Sequence, residues 1–160
     1  MKAKNIYGES PREITSKLSK VIEDVFSPTL AIVFCSILQD RKALTDIFTD
    51  QNISVFGSTT AGEILDDEVM EKAAVVMLLD INRDYFKIFH AASTDTYKVA
   101  NDMALFAKEC FADPSIVVVS SGLTIDAEQI INGVRDAGTE IELYGGLAGD
   151  DLTMKGSYVF

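Results

Sequence analysis

The sequence predicts an α/β fold: a mixed sheet built from two duplicated strand-helix-strand units with parallel strands, antiparallel hairpin additions, and helices covering the sheet. Three observations lead there. Four short runs, "TLAIVFCS" (29–36), "ISVFGS" (53–58), "SIVVVSS" (115–121) and "IELYGG" (141–146), are largely apolar without the alternation of a half-solvated strand. Segments of helical period separate them. The order then repeats: helix, proline, strand ending in serine, helix, strand ending in aromatic-Gly, glycine loop.

Taken in order, residues 11–25 place Ile14, Leu18, Val21, Ile22 and Val25 on one helical face, with Pro11 in the first turn after Ser10. Pro28 closes that helix ahead of the strand at 29–36. Leu38–Phe48 carries Leu44, Ile47 and Phe48 at helical spacing, and 53–58 is a strand running into a glycine loop. "AAVVMLLD" (73–80) and "DYFKIFHA" (84–91) read as strands of an antiparallel hairpin about "INR". The second round has a helix over 96–111 with Val99, Met103, Phe106 and Ala107 on one side, then Pro114 and the strand at 115–121. A helix over 126–137 with Ile130, Ile131 and Val134 follows, then the strand at 141–146, and "GSYVF" (156–160) begins another.

Pro28 precedes Gly57 by nearly the distance at which Pro114 precedes Gly145, so the halves read as an internal duplication, about 11–91 and 96–160, within a single domain spanning 1–160. A hairpin follows the first glycine loop, whereas the second half stops at Phe160 inside what should be its first strand. The chain is therefore expected to be truncated at its C-terminus.

Charge and composition exclude several classes. With 14 basic against 25 acidic residues, a net −11, the chain lacks the basic footprint of a nucleic-acid binder and would be repelled by an anionic membrane. The best apolar run, Ala73–Leu79, is far shorter than the ~20 residues of a membrane span, and the N-terminus has no apolar signal core. Cys35 and Cys110 sit in apolar segments without metal-ligand spacing, as reduced thiols of a cytoplasmic protein do. No cofactor or metal is expected.

"GSTTAGEI" (57–64) has the glycine spacing of a phosphate loop, but Glu63 and Ile64 stand where Lys and Ser/Thr should be, which reverses the electrostatics. "VVSSGLT" (118–124) invites a serine hydrolase using Ser120 or Ser121, yet Val118 replaces the first glycine of the nucleophile elbow. The single histidine, His90, has no predicted place beside them. The acidic run Asp66, Asp67 and Glu68 reads as a solvated loop.

Ligands of open α/β sheets bind beyond the carboxyl ends of the strands, where this topology puts Ser36, Gly57, Ser120, Ser121 and Gly145. The candidate ligand-binding residues are Ser36, Gly57, Ser58, Thr59, Thr60, Gly62 and Glu63 in the first half. In the second half they are Ser121, Gly122, Gly145, Gly146, Gly149, Asp150 and Asp151. Glycine-loop amides can receive a carboxylate, hydroxyls can orient it, and Glu63 and Asp150, each directly after an Ala-Gly step, can hold an ammonium. That set suits a small zwitterion such as an amino acid. Equally open is a purely structural or protein-interaction module, in which the glycines serve tight turns and the acids cap.

"LAIVFCS", "VFGSTTAGEI", "VVVSSGL" and "YGGLAGDD", in that order, resemble the N-terminal part of the FIST domain family over about residues 29–160. The resemblance implies a cytoplasmic, mostly bacterial sensory domain of signal-transduction proteins, acting beside or within histidine kinases, chemoreceptor-like proteins or cyclases. It implies a small ligand, amino acids being the class proposed for the family, and an output module or signalling partner. Two departures stand out: Ser121 precedes Gly122 where the family often has Asp-Gly, and the family domain runs on past the position of Phe160.

Overall fold

The computed structural model describes residues 1–23, 26–65, 67–138 and 140–160. Two compact units divide the chain: unit 1 is residues 1–86 with 148–160, and unit 2 is residues 87–147.

Unit 1 runs β1 (Lys2–Gly8), α1 (Pro11–Glu23), β2 (Leu30–Ser36), α2 (Arg41–Thr49), β3 (Ser54–Thr60), β4 (Glu63–Leu65), β5 (Glu68–Met70) and β6 (Ala74–Asp80). Four strands form a sheet in the order β1-β6-β2-β3. β2 and β3 are parallel, from Leu30 opposite Ser54 to Ser36 opposite Thr60, as a strand-helix-strand unit requires. β6 is antiparallel to both neighbours, with Val76 facing Ile6 on one side and Val33 on the other.

That placement corrects the expected hairpin at 73–91. Both edges of β6 are taken, by β1 and β2, so no edge is left for 84–91. After β6 the chain enters a 3-10 turn at Arg83–Tyr85 capped by the Asn82 side chain, and 86–91 joins no ladder among the described residues. The strand that β6 does pair with, β1, went unread in the sequence.

Alternate residues of the strands build the core. Ala31, Val33 and Cys35 from β2, with Ala74, Val76 and Leu78 from β6, are buried in one cluster with Ile14 and Leu18 of α1 and Leu44 and Phe48 of α2. Each large side chain so buried stabilises the fold by ~1.5–3 kcal/mol. Of the apolar face expected over 11–25, Ile14 and Leu18 enter the core and Val21 packs against it, whereas Ile22 is exposed and Val25 lies outside the described residues. α2 starts at Arg41 rather than Leu38, because Asp40 caps it by accepting the Ala43 N–H at 3.0 Å; Leu38 is left exposed.

β4 and β5 form a small antiparallel hairpin, Glu63 opposite Met70. Of the acidic run, Asp67 and Glu68 lie exposed in that hairpin, and Asp66 lies outside the described residues. At the end of the chain, Val159 bridges Ser58, and Phe160 exchanges both backbone hydrogen bonds with Gly57, at 2.7 and 3.0 Å.

Unit 2 contains α3 (Thr96–Cys110), β7 (Ser115–Ser121), α4 (Ala127–Asp136) and β8 (Glu142–Ala148), whose last residue counts with unit 1. β7 and β8 pair as a two-stranded sheet. Ala100, Ala104, Ile116, Ile130 and Val134 form its buried cluster. Small residues let α3 and α4 touch: a Cβ on Gly133 would lie 2.4 Å from the Tyr97 carbonyl oxygen.

Gly57 is a packing glycine. A Cβ there would stand 2.0 Å from the Val33 carbonyl oxygen, which the paired backbone cannot vacate. Gly57→Ala is expected to destabilise by at least the ~1–3 kcal/mol of an overpacked core, whereas Gly146→Ala, with no atom within 4 Å of the added methyl, leaves stability near native. Urea unfolding of both checks this; equal midpoints would contradict the packing role.

Candidate functional site

In unit 1 the carboxyl ends of β2 and β3 meet the segment 149–158 in a buried polar cluster. Thr59, wholly buried, uses all its polar groups on that segment. Its N–H donates to the Tyr158 carbonyl and its carbonyl accepts the Gly149 N–H, both at 2.9 Å. Its hydroxyl donates to the Gly149 carbonyl at 2.6 Å and accepts the Tyr158 N–H at 3.0 Å. Gly149 has to be glycine for this approach, since a Cβ would stand 2.8 Å from the Ala61 nitrogen.

Three carboxylates surround the cluster in different states. Asp150, buried, accepts through Oδ2 from the Thr153 hydroxyl at 3.0 Å and from the Lys155 and Gly156 N–H groups at 2.6 and 3.2 Å. Burial alone would raise its carboxyl, but the amides of Gly156, Lys155 and Met154 and the Thr153 hydroxyl outweigh it and hold Asp150 below the ordinary range. Glu63 is 1% exposed and accepts from the Thr60 hydroxyl at 2.7 Å and the Ala73 N–H at 3.3 Å. Burial pushes it above its ordinary value, with the Asp151 charge adding to the push and the two donors opposing it.

Asp151 differs from both. It is only partly buried, its φ is 54°, and its Oδ2 accepts the hydroxyl of the buried Ser36 at 2.6 Å. Leu152 and Met154 also have positive φ, 61° and 55°, so this loop holds a run of conformations that cost energy and persist only under constraint. Among the described residues the ion pairs are Lys42–Asp46, Lys98–Asp102 and Arg135–Asp136, and none involves Glu63, Asp150 or Asp151.

Two participants escaped the sequence reading. Arg41 stacks its guanidinium 3.9 Å above the centre of the Tyr158 ring and donates to the Ile37 carbonyl at 3.2 Å, next to Ser36. Its charge partly offsets the burial and the Glu63 and Asp151 charges that push the Cys35 thiol up to about 12, leaving that thiol unreactive. Gln39, buried, donates to the Glu9 and Lys72 carbonyls at 3.0 and 2.6 Å. Neither residue belongs to a glycine phrase: Arg41 is revealed by the chain's return at Tyr158, and Gln39 by the Glu9 and Lys72 carbonyls that it spans.

The structure thus brings Ser36, Gly57, Ser58, Thr59, Thr60, Gly62, Glu63, Gly149, Asp150 and Asp151 into unit 1. Ser121, Gly122, Gly145 and Gly146 belong to unit 2. There the Ser121 hydroxyl accepts from the Leu123 N–H and the Thr124 hydroxyl, at 3.4 and 2.9 Å. Ser120 Oγ is buried without a hydrogen-bond partner, so the His90–Ser120 pair that a hydrolase reading calls for is not formed. No group of three or more His, Cys, Asp or Glu among the described residues can hold a metal ion, and no helix among them is long and apolar enough to cross a membrane.

Chemically, both oxygens of Glu63 accept internal donors, Asp150 Oδ2 accepts three, and Asp151 Oδ2 accepts one, from Ser36; Asp151 and Arg41 flank Ser36 and Ile37 without an ion pair between them. The raised carboxyl of Glu63 has a definite consequence for pH. As pH climbs from about 4.5, its ordinary value, the unfolded chain releases this proton before the folded protein does, so stability falls through that window. For Asp150 the sign is opposite: its contribution is present above the ordinary Asp value and is lost as pH falls through the lower folded one. Glu63→Gln, whose amide can still serve Ala73 and Thr60, is expected to flatten the decline above pH 4.5 relative to the parent, and Asp150→Asn to leave that decline in place. Thermal melting at stepped pH checks this, and an unchanged decline in Glu63→Gln would contradict it.

The FIST N domain family model matches residues 29–160. No curated protein and no solved structure matches the chain.

Proposed function

The chain belongs to the FIST N domain family, a sensory domain of signalling proteins, and we propose that it binds a small zwitterion, an amino acid or comparable small carboxylate, in the cytoplasm. It passes occupancy on to an output domain or signalling protein and carries out no catalysis of its own. One observation supports this reading above the others: Asp151 and Arg41 are held by adjacent residues, Ser36 Oγ and the Ile37 carbonyl, without an ion pair between them. An ammonium meets Asp151 by a charge-assisted hydrogen bond, and a carboxylate meets the planar guanidinium of Arg41. The sequence reading gave the ammonium to Glu63 and Asp150; their internal donors favour Asp151 instead.

The strained loop at 151–154 supplies a way to report. Three non-glycine residues at positive φ form a segment that a bound ion at Asp151 can shift between arrangements. The turn-only alternative draws on the internal bonding of Glu63 and Asp150, and a ligand screen separates the two.

A ligand that binds only the folded protein at a hundredfold excess over Kd stabilises it by about 2.7 kcal/mol, a shift of several degrees. A thermal-shift panel of amino acids and small carboxylates is expected to contain at least one such compound. Asp151→Asn, which still accepts the Ser36 hydroxyl, and Arg41→Gln should each abolish the shift with an unliganded midpoint close to native. A shift that survives both substitutions would overturn the proposed site.

A further inference from the structure

Glu63 and Asp151 are joined by hydrogen bonds along two routes. On one, the Thr60 hydroxyl donates to Glu63 Oε1 at 2.7 Å, and the Thr60 carbonyl accepts the Asp151 N–H at 3.2 Å. On the other, the Ala73 N–H donates to Glu63 Oε2 at 3.3 Å, and the Ala73 carbonyl accepts the Ser36 N–H at 2.9 Å. Ser36 closes the circuit, its hydroxyl donating to Asp151 Oδ2 at 2.6 Å. Two carboxyl groups thus sit on one ring of hydrogen bonds. Glu63 is 1% exposed, whereas Asp151 is only partly buried.

Among the described residues neither carboxyl belongs to an ion pair. Burial raises Glu63, and the Asp151 charge adds to the rise. The other titratable groups around Glu63 are placed differently. The Cys35 thiol of β2, pushed up to about 12, stays neutral, and Arg41 of α2 pulls that thiol the other way. Asp150 Oδ2 is held by Thr153, Lys155 and Gly156. Glu71 and Lys72 before β6 are exposed, as are Asp67 and Glu68 in the hairpin.

We propose that Glu63 and Asp151 work as a proton-exchange pair, in which a cation is taken up at Asp151 and the Glu63 proton leaves to solvent. The pairing rests on the reading of Asp151 as the partner of a ligand ammonium. One positive charge enters as another departs, so the net charge of the cluster stays the same, as a poorly solvated site favours. Both states are hydrogen-bonded. Ionised Glu63 accepts from Thr60 and Ala73; protonated, it donates to Thr60 Oγ1, a hydroxyl that can accept as well as donate. In the ligand-free protein the proton persists above pH 4.5, the ordinary Glu value. A cation at Asp151 cancels the charge that helps to retain it and so draws the Glu63 midpoint down. By linkage, that cation binds more tightly as pH rises through the midpoint.

The NMR signal of the Glu63 carboxyl carbon, assigned by its loss in Glu63→Gln, reads the coupling directly in the whole chain. Its midpoint is expected to be lower in Asp151→Asn than in the parent, with no ligand added. Methylammonium, compared with sodium at equal ionic strength, should lower the midpoint in the parent and leave it fixed in Asp151→Asn. Its affinity should rise with pH by up to about tenfold per unit through the midpoint, the limit for one proton exchanged. Glu63→Gln should lose that part of the rise and keep only what belongs to Asp151 itself. Equal Glu63 midpoints in the parent and Asp151→Asn would overturn the pairing, whatever the protein binds. So would an affinity that rises as steeply in Glu63→Gln as in the parent. A lower midpoint in Asp151→Asn, with no response to methylammonium or to the amino-acid panel, would instead overturn the ligand reading and the exchange with it.

Discussion

Thr59 is the residue on which the rest of the candidate site depends. Its backbone and hydroxyl together make four hydrogen bonds to Gly149 and Tyr158, so the end of the chain is fastened to β3 from inside the fold. Buried hydroxyls need partners, and a buried Thr without these bonds would cost stability. With Gly149 fixed, Asp150 and Asp151 have little choice of position. Asp150 turns into its own loop, and Asp151 is left against Ser36. With Tyr158 fixed, its ring supports the Arg41 guanidinium. The Asp151 and Arg41 positions of the proposed site both follow from segments that one buried residue fastens.

The glycines divide by physical role more than by motif. Gly57 and Gly145 allow backbone to approach backbone, each directly against a strand carbonyl, and Gly149 does the same against Ala61. Gly62 supplies a φ of 135° at the turn into β4, and Gly145 combines its close approach with a φ of 138°. A phrase such as "GSTTAGE" reads as a ligand loop because glycines are common to both uses. The space a Cβ would need, which depends on the neighbouring strand, separates them.

Much of the architecture was legible in the residues. Continuous apolar runs located β2, β3, β7 and β8, and helical period located all four helices to within a few positions. The strand β1 was not, because "KAKNIYG" mixes lysines and an asparagine with few apolar residues, as edge strands do. The hairpin at 73–91 was misread since local pattern shows that two segments favour strands and says nothing of which edge each meets; here β1 had already taken it. At the site, Ser36, Thr59, Thr60, Glu63, Asp150 and Asp151 were legible as polar residues at strand ends. Their inward or outward facing was not, being decided by the β4–β5 hairpin and by the chain's return through residues 148–160. Arg41 carried no signal beyond a helix start.

The central claim is that the segment fastened by Thr59 is the element that a small ligand acts on. Amide hydrogen exchange in Thr59→Val, which keeps the side-chain shape and removes the hydroxyl, tests it most directly. Faster exchange is expected at Tyr158 and through residues 151–156, with β2 and β6 unchanged, and the variant should no longer answer to an amino acid that stabilises the parent. Native exchange in that segment together with an undiminished ligand response would contradict the account.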